Sequence, residues 1–328
     1  MMQEVNDIVG PDPCLCEDDE HFDIYFVSKM LTAKLVLSAH ALLGEGPLWL
    51  PEEERLYWLD IEGRKLHRFD PVTDRDETFG LPNKVGCVVP CQSDRFLMAA
   101  QHGIEEFRID GDRIVPIAVK AHPEADKPGN RYNDGKCSPE GRLWFGSLNM
   151  EHRTGAAALY VLDGTDCRTA LTGATNSNGL GWSPDGRTFY WIDTPTRRIE
   201  AFDYEPEQGT LSNRRTVVIF PQDEADRTEW GRPDGMTVDA EGMIWVAHWL
   251  GSRVTRWNPI DGKMLEEIRL PVSRVTSATF GGSDLATLFI TTASKDMMPE
   301  EKVRQPDAGG LFAVKPGVTG LPPARYKN

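Results

Sequence analysis

Six copies of one strand-and-turn unit run through nearly the whole chain, and they leave few folds open to it. A Pro-Asp/Glu-Gly type turn leads into a short, aromatic-rich strand. A few polar residues later a second short strand follows. The clearest copies begin at Ser138-Pro139-Glu140-Gly141, Ser183-Pro184-Asp185-Gly186 and Asp239-Ala240-Glu241-Gly242. Looser ones begin at Pro51, Gln92 and Gly282. A period of roughly 40–50 residues, built of strands and tight turns, is the pattern of propeller blades. The fold class expected is all-β, a six-bladed β-propeller, because six four-stranded blades fill 328 residues. Closing the ring removes the sheet edges that would otherwise invite aggregation. The strand near Leu35–Ala39 should complete the last blade beside Leu311–Val314.

The first thirty residues stand outside the repeat. Residues 1–30 read as a flexible or misassigned arm, and 31–328 as the propeller. The arm lacks the charged and apolar regions of a secretory signal. Leu31 to Leu37 reads as a strand. Cys14 and Cys16 lie in the arm, and two loose thiols explain them better than a metal or a crosslink. Cys87 and Cys137 fall in strand-like runs and read as small core residues. Free thiols of this kind fit a reducing, cytoplasmic setting.

Net charge is −15, from 36 basic and 51 acidic residues. Such a field repels nucleic acid and anionic lipid, so neither is expected as a partner. No apolar run reaches the roughly 20 residues of a membrane helix. A monomer or weak homo-oligomer acting on a small molecule is the expectation.

The innermost strand of each blade should precede the Pro-Asp-Gly turn. Aligned this way, the strand entrances carry Glu45, Asn133 or Asp134, Asn178 and Asp234. Pseudo-symmetry brings them together at one mouth of the central channel. Carboxylates and amides without histidine or thiol suit a hard cation such as calcium, magnesium or manganese, with zinc also in range. Asn-Gly and Asp-Gly are also common turn pairs. Their shared place in the repeat, apart from the ordinary turns at Asp185-Gly186 and Glu241-Gly242, favours a site.

Several ordered motifs carry a family resemblance. They are Gly44-Glu45-Gly46-Pro47 with Trp49, then Asn130-Arg131-Tyr132-Asn133-Asp134-Gly135-Lys136. Ser177-Asn178-Gly179-Leu180, Arg232-Pro233-Asp234-Gly235-Met236 and Ala308-Gly309-Gly310-Leu311-Phe312 follow. Over about Leu43 to Phe312 the chain resembles the gluconolactonase family that includes regucalcin. The resemblance implies one divalent cation (calcium, zinc, magnesium or manganese) held by Glu45, Asn178 and Asp234. It implies substrate contacts from Arg131 and Asn133, and hydrolysis of a sugar lactone to its aldonic acid in carbohydrate catabolism. Asn149 and Glu151 are further candidates for substrate contact.

Lactone hydrolysis passes through a tetrahedral oxyanion. A divalent cation can polarise the carbonyl and lower the pKa of water. A carboxylate beside a cation is a weak base, so Asp234 is read as assisting cation-activated water. There is no G-x-S-x-G elbow. His248 stands one strand outward from the channel, either lining the pocket or as a partly exposed strand residue. The tryptophans read as packing between blades, with Trp249 the exception facing a loop. Two other readings remain. One is a non-catalytic metal-binding propeller. The other is a related metal-dependent esterase or phosphotriesterase, whose sites commonly enclose a second, buried calcium.

Overall fold

The computed structural model describes residues 29–327. The arm and its Cys14 and Cys16 therefore lie outside the described residues, apart from Lys29 and Met30. Six sheets, antiparallel but for one added edge strand, follow one another along the chain, each led by an inner strand. The inner strands are Gly44–Leu50, Val85–Pro90, Asn130–Cys137, Ser177–Trp182, Arg232–Val238 and Val275–Gly281, for blades 1 to 6. The six-bladed propeller expected from the repeat is the fold observed.

Closure occurs in blade 6, which joins the two ends of the chain. Its outermost strand is Lys34–Leu37, paired antiparallel to Leu311–Val314. The single strand expected over Leu31–Leu37 is in fact two. Lys29–Thr32 pairs in parallel with Met264–Arg269 as a fifth strand of blade 5. Ala33, buried between them, donates its N–H to the Arg269 carbonyl and marks the crossing from one blade to the next. A continuous run of strand-forming residues says nothing about which edge it covers, and here it covers two.

The aromatic residues of the repeat pack where blades meet. Trp49 of blade 1 stacks on Phe289 of blade 6 with centroids 5.8 Å apart, across the point of closure. Tyr57 meets Phe96 between blades 1 and 2, Trp144 meets Trp182 between blades 3 and 4, and Trp245 meets Phe280 between blades 5 and 6. Burial of such large rings adds substantially to the hydrophobic drive, with added edge-on attraction. Cys87, Cys91 and Cys137 are buried in the core shared by blades 2 and 3.

A feature absent from the repeat closes the far end of the channel. Residues 321–324 pass under the ends of the inner strands and help line a cavity there with Trp49, Trp182 and Phe280. The crossing is fixed at one side by a bridge between Gly320 and Asp239, and at the other by Tyr326 beside Cys91. Among the described residues no helix is long and apolar enough to cross a membrane.

Candidate active site

The four inner strands that carry candidate residues change register just where those residues stand. The shifts fall between Glu45 and Leu48, Tyr132 and Gly135, Ser177 and Leu180, and Pro233 and Met236, with counterparts in blades 2 and 6. A bulge breaks the alternation of the strand and re-aims a side chain. It is the local device that turns these side chains to the channel. Glycine makes the spacing feasible. A Cβ on Gly235 would stand 2.2 Å from the Ser277 hydroxyl, and one on Gly179 2.6 Å from the Met236 nitrogen. Neighbouring inner strands can approach this closely only without side chains at those points.

The turns entering the inner strands are held by a recurring aspartate. Asp60, at the end of the second strand of blade 1, accepts from the backbone of Leu42 and Leu43. Asp193 does the same in blade 4 for Thr175 and Asn176. Two buried threonines then pin the backbone beside the carboxylates. Thr276 Oγ1 donates to the Gly44 carbonyl at 2.6 Å, next to Glu45. Thr194 Oγ1 donates to the Pro233 carbonyl at 2.8 Å, next to Asp234.

Glu45, Arg131, Asn133, Asn178 and Asp234 come together in one pocket of about 240 Å³ at the mouth of the channel. Arg131, Asn133, Asn178 and Asp234 are each less than one-tenth exposed. Arg131 Nη1 donates to Asn133 Oδ1 at 2.8 Å and to the Tyr132 carbonyl at 2.9 Å. Asn133 Nδ2 donates to the Ser177 carbonyl and to Asn178 Oδ1. Asn178 Nδ2 donates to Thr194 Oγ1 at 2.7 Å. Among the described residues no hydrogen bond reaches the Asp234 carboxylate, and Glu45 accepts only from Gly46 N–H.

Burial pushes the Glu45 carboxyl up to about 8, and the Asp134 charge adds to it. Burial likewise pushes Asp234 well above the carboxylate range, with repulsion from Glu45 and Asp134 and an opposing pull from Arg131. Asp134 is raised by its burial in the channel, against the nearby Lys136. Three desolvated acids thus meet with too little positive charge to ionise them all. The oxygen atoms of Glu45, Asn178 and Asp234, of which the Asp234 pair accepts no hydrogen bond, fit a hard divalent cation, whose charge would restore that balance. Among the described residues, no group of three or more His, Cys, Asp and Glu side chains forms a ready metal cluster.

Other expectations fare differently. His248 is not in the pocket. It is fully buried, its Nε2 2.7 Å from Thr255 Oγ1 and its ring edge-on to Phe220. On the second strand of blade 5 this side chain packs toward the end of blade 4, not into the channel. Trp249 does line the pocket. Asn149 is buried outside it and holds the following turn, its Oδ1 accepting from the N–H of Glu151 and Arg153. Glu151 is exposed and pairs with Arg153. His152, Thr194, Arg232, Lys295 and Asp296 line the pocket without having been singled out by the repeat.

Residues 43–294 match the family model described as the SMP-30/Gluconolactonase/LRE-like region. The provisionally named sugar lactone lactonase YvrE of Bacillus subtilis (strain 168) is 38% identical over 298 residues, 90% of this chain and 99% of that protein. Regucalcin of Danio rerio is 40% identical over 289 residues, 87% of this chain and 94% of that protein. The solved structure of a calcium-binding protein, regucalcin, from Agrobacterium tumefaciens superposes with a TM-score of 0.85 at 25% identity, covering 92% of this chain and 100% of that one. Fold, pocket and sequence converge on one conclusion: this chain belongs to the SMP-30/gluconolactonase/LRE-like family.

Proposed function

We propose that the protein hydrolyses a sugar lactone to the aldonic acid, using one divalent cation held by Glu45, Asn178 and Asp234. The observation that carries the reading is the Asp234 carboxylate. It is buried at the channel mouth without a hydrogen-bond donor, beside Glu45 and Asn178, in a pocket shared with Arg131 and Asn133. A cation bound there would supply a Lewis acid for the ester carbonyl and lower the pKa of water.

The chain's own residues have separable tasks. Arg131 spends only Nη1 on its hydrogen bonds to Tyr132 and Asn133, which leaves its other donors for a polyol. Asn133 is fixed by that contact and orients the ring hydroxyls. Asp234 accepts the proton lost by water as its oxygen bonds to the carbonyl carbon. The tetrahedral intermediate then expels the ring oxygen, which takes that proton back. One water is consumed, one C–O bond is broken, and a hydroxy acid results.

A panel of aldonolactones, assayed by acid release, tests the proposal. The protein would first be stripped of metal and reloaded separately with calcium, zinc, magnesium or manganese. Turnover that requires a cation is expected. Absence of turnover on every lactone with every cation would overturn the reading. Activity confined to aryl esters or phosphotriesters would replace it with the esterase alternative.

A further inference from the structure

An asparagine can turn either end of its amide toward a pocket, and only the oxygen end can hold a cation. At Asn178 the choice is made by hydrogen-bond bookkeeping around Thr194. Thr194 Oγ1 lies 2.8 Å from the Pro233 carbonyl, which has lone pairs and no proton. The single hydroxyl proton of Thr194 is therefore committed to Pro233. Toward Asn178, 2.7 Å away, Thr194 can then only accept. Asn178 must present its NH₂ end there and its oxygen on the other side.

The opposite end of the amide gives the same answer independently. Asn178 Oδ1 lies 2.8 Å from Asn133 Nδ2. The orientation of Asn133 is fixed in turn by Arg131, a guanidinium that only donates, 2.8 Å from Asn133 Oδ1. Turning Asn178 over would set two donors face to face at Asn133 and two acceptors face to face at Thr194. Thr194 itself is buried at the start of the short 3₁₀ turn Thr194–Thr196, where its N–H bonds to the Asn176 carbonyl. The same hydroxyl thus joins the side chain of Asn178 in blade 4 to the backbone that precedes Asp234 in blade 5.

We propose that Thr194 is a positioning residue that locks the Asn178 side-chain oxygen toward the channel and holds it in register with Asp234. The consequence for cation binding rests on the assignment of Asn178 and Asp234 as ligands made above. The locked amide itself does not.

Two measurements on the full chain keep these apart. The first titrates metal-stripped wild type, Thr194→Val and Thr194→Ser with calcium, zinc, magnesium and manganese in turn, with the fold checked by circular dichroism. Loss of an outer-shell partner weakens metal binding by about 10–100-fold. Thr194→Val should show that loss, and Thr194→Ser should restore affinity near wild type. Equal affinity in Thr194→Val, or an equal loss in Thr194→Ser, overturns the inference.

The second measurement needs no metal. The Asn178 side-chain NH₂ resonances of ¹⁵N-labelled protein, assigned by their loss in Asn178→Ala, should exchange slowly with water in the wild type. Thr194→Val should speed that exchange. Free-amide exchange in the wild type overturns the inference even if Thr194→Val does not fold. A wild type that binds none of the four cations overturns the proposed ligand set, and the amide exchange still decides the role of Thr194.

Discussion

Asn133 Nδ2 and Asn178 Oδ1 share a hydrogen bond of 2.8 Å that joins blade 3 to blade 4 inside the channel mouth. It continues on one side to Arg131 and on the other to Thr194 and Pro233. Arg131 and Asn133, assigned to substrate, and Asn178, assigned to the cation, are thus one connected network. Their separate roles can still be told apart by which ligand each mutation affects.

Arg131 provides the first test. It only donates, so it cannot bind a cation directly. Arg131→Ala should keep the metal while lowering kcat/KM on polyhydroxylated lactones by about ten- to a hundredfold, the loss of one hydrogen bond to a charged donor. Simple lactones without ring hydroxyls should suffer less. Metal content after dialysis, together with kinetics on both substrate types, checks this. An equal loss on both types would make Arg131 an oxyanion donor or a structural residue.

Asp234 separates binding from proton transfer. Asp234→Ala should lose both the cation and turnover. Asp234→Asn keeps a side-chain oxygen but can take no proton. It should retain part of the cation affinity while kcat falls by about 10²–10⁴-fold, the usual worth of a general base. Full activity of metal-free Asp234→Ala would be incompatible with the mechanism.

Much of this site was legible in the sequence because symmetry does the work. Glu45, Asn178 and Asp234 occupy one position in the repeat, so alignment of the blades places them together. The bulges that aim them were not legible, since a register shift depends on the neighbouring strand. Thr194, His152 and Lys295 were missed for another reason. They stand after the second strand of a blade, which returns antiparallel to the mouth where the inner strand began. Their spacing from Glu45, Asn178 and Asp234 varies from blade to blade with the loops. The Asp193-Thr194 pair at the end of a strand was the one available signal. The tail under the channel has no counterpart in the repeat, so periodicity could not reveal it.

The raised Glu45 carboxyl predicts how the metal-free protein responds to pH. A carboxyl near 8 when folded and 4.5 when unfolded binds its proton more tightly in the folded state. Its contribution to stability is complete below the unfolded value and is lost as pH rises through the folded one. With chelator present, the melting temperature of the wild type should therefore fall more steeply from about pH 5 to about pH 8 than that of Glu45→Gln, which has no proton to lose. A saturating divalent cation should remove the difference, because it stabilises the ionised form. Parallel curves for the two proteins in chelator would show that Glu45 ionises normally.

The tail should govern stability and leave catalysis alone. Tyr326 is 1% exposed, its N–H bonds to the Pro90 carbonyl and its hydroxyl to the Gly164 carbonyl at 3.0 Å. Arg325 bonds to the Cys91 carbonyl and pairs with Glu52. The tail therefore ties blades 1, 2 and 3 together at the end of the channel away from Glu45 and Asp234. Removing a buried aromatic ring from such a site costs about 3–5 kcal/mol. Tyr326→Ala should unfold at markedly lower temperature or denaturant, and removal of residues 321–328 should do so more strongly. The folded fraction of either variant should keep the wild-type KM, because the pocket is lined from the opposite ends of the inner strands. A changed KM with unchanged melting would mean that the tail acts on the site rather than on the fold.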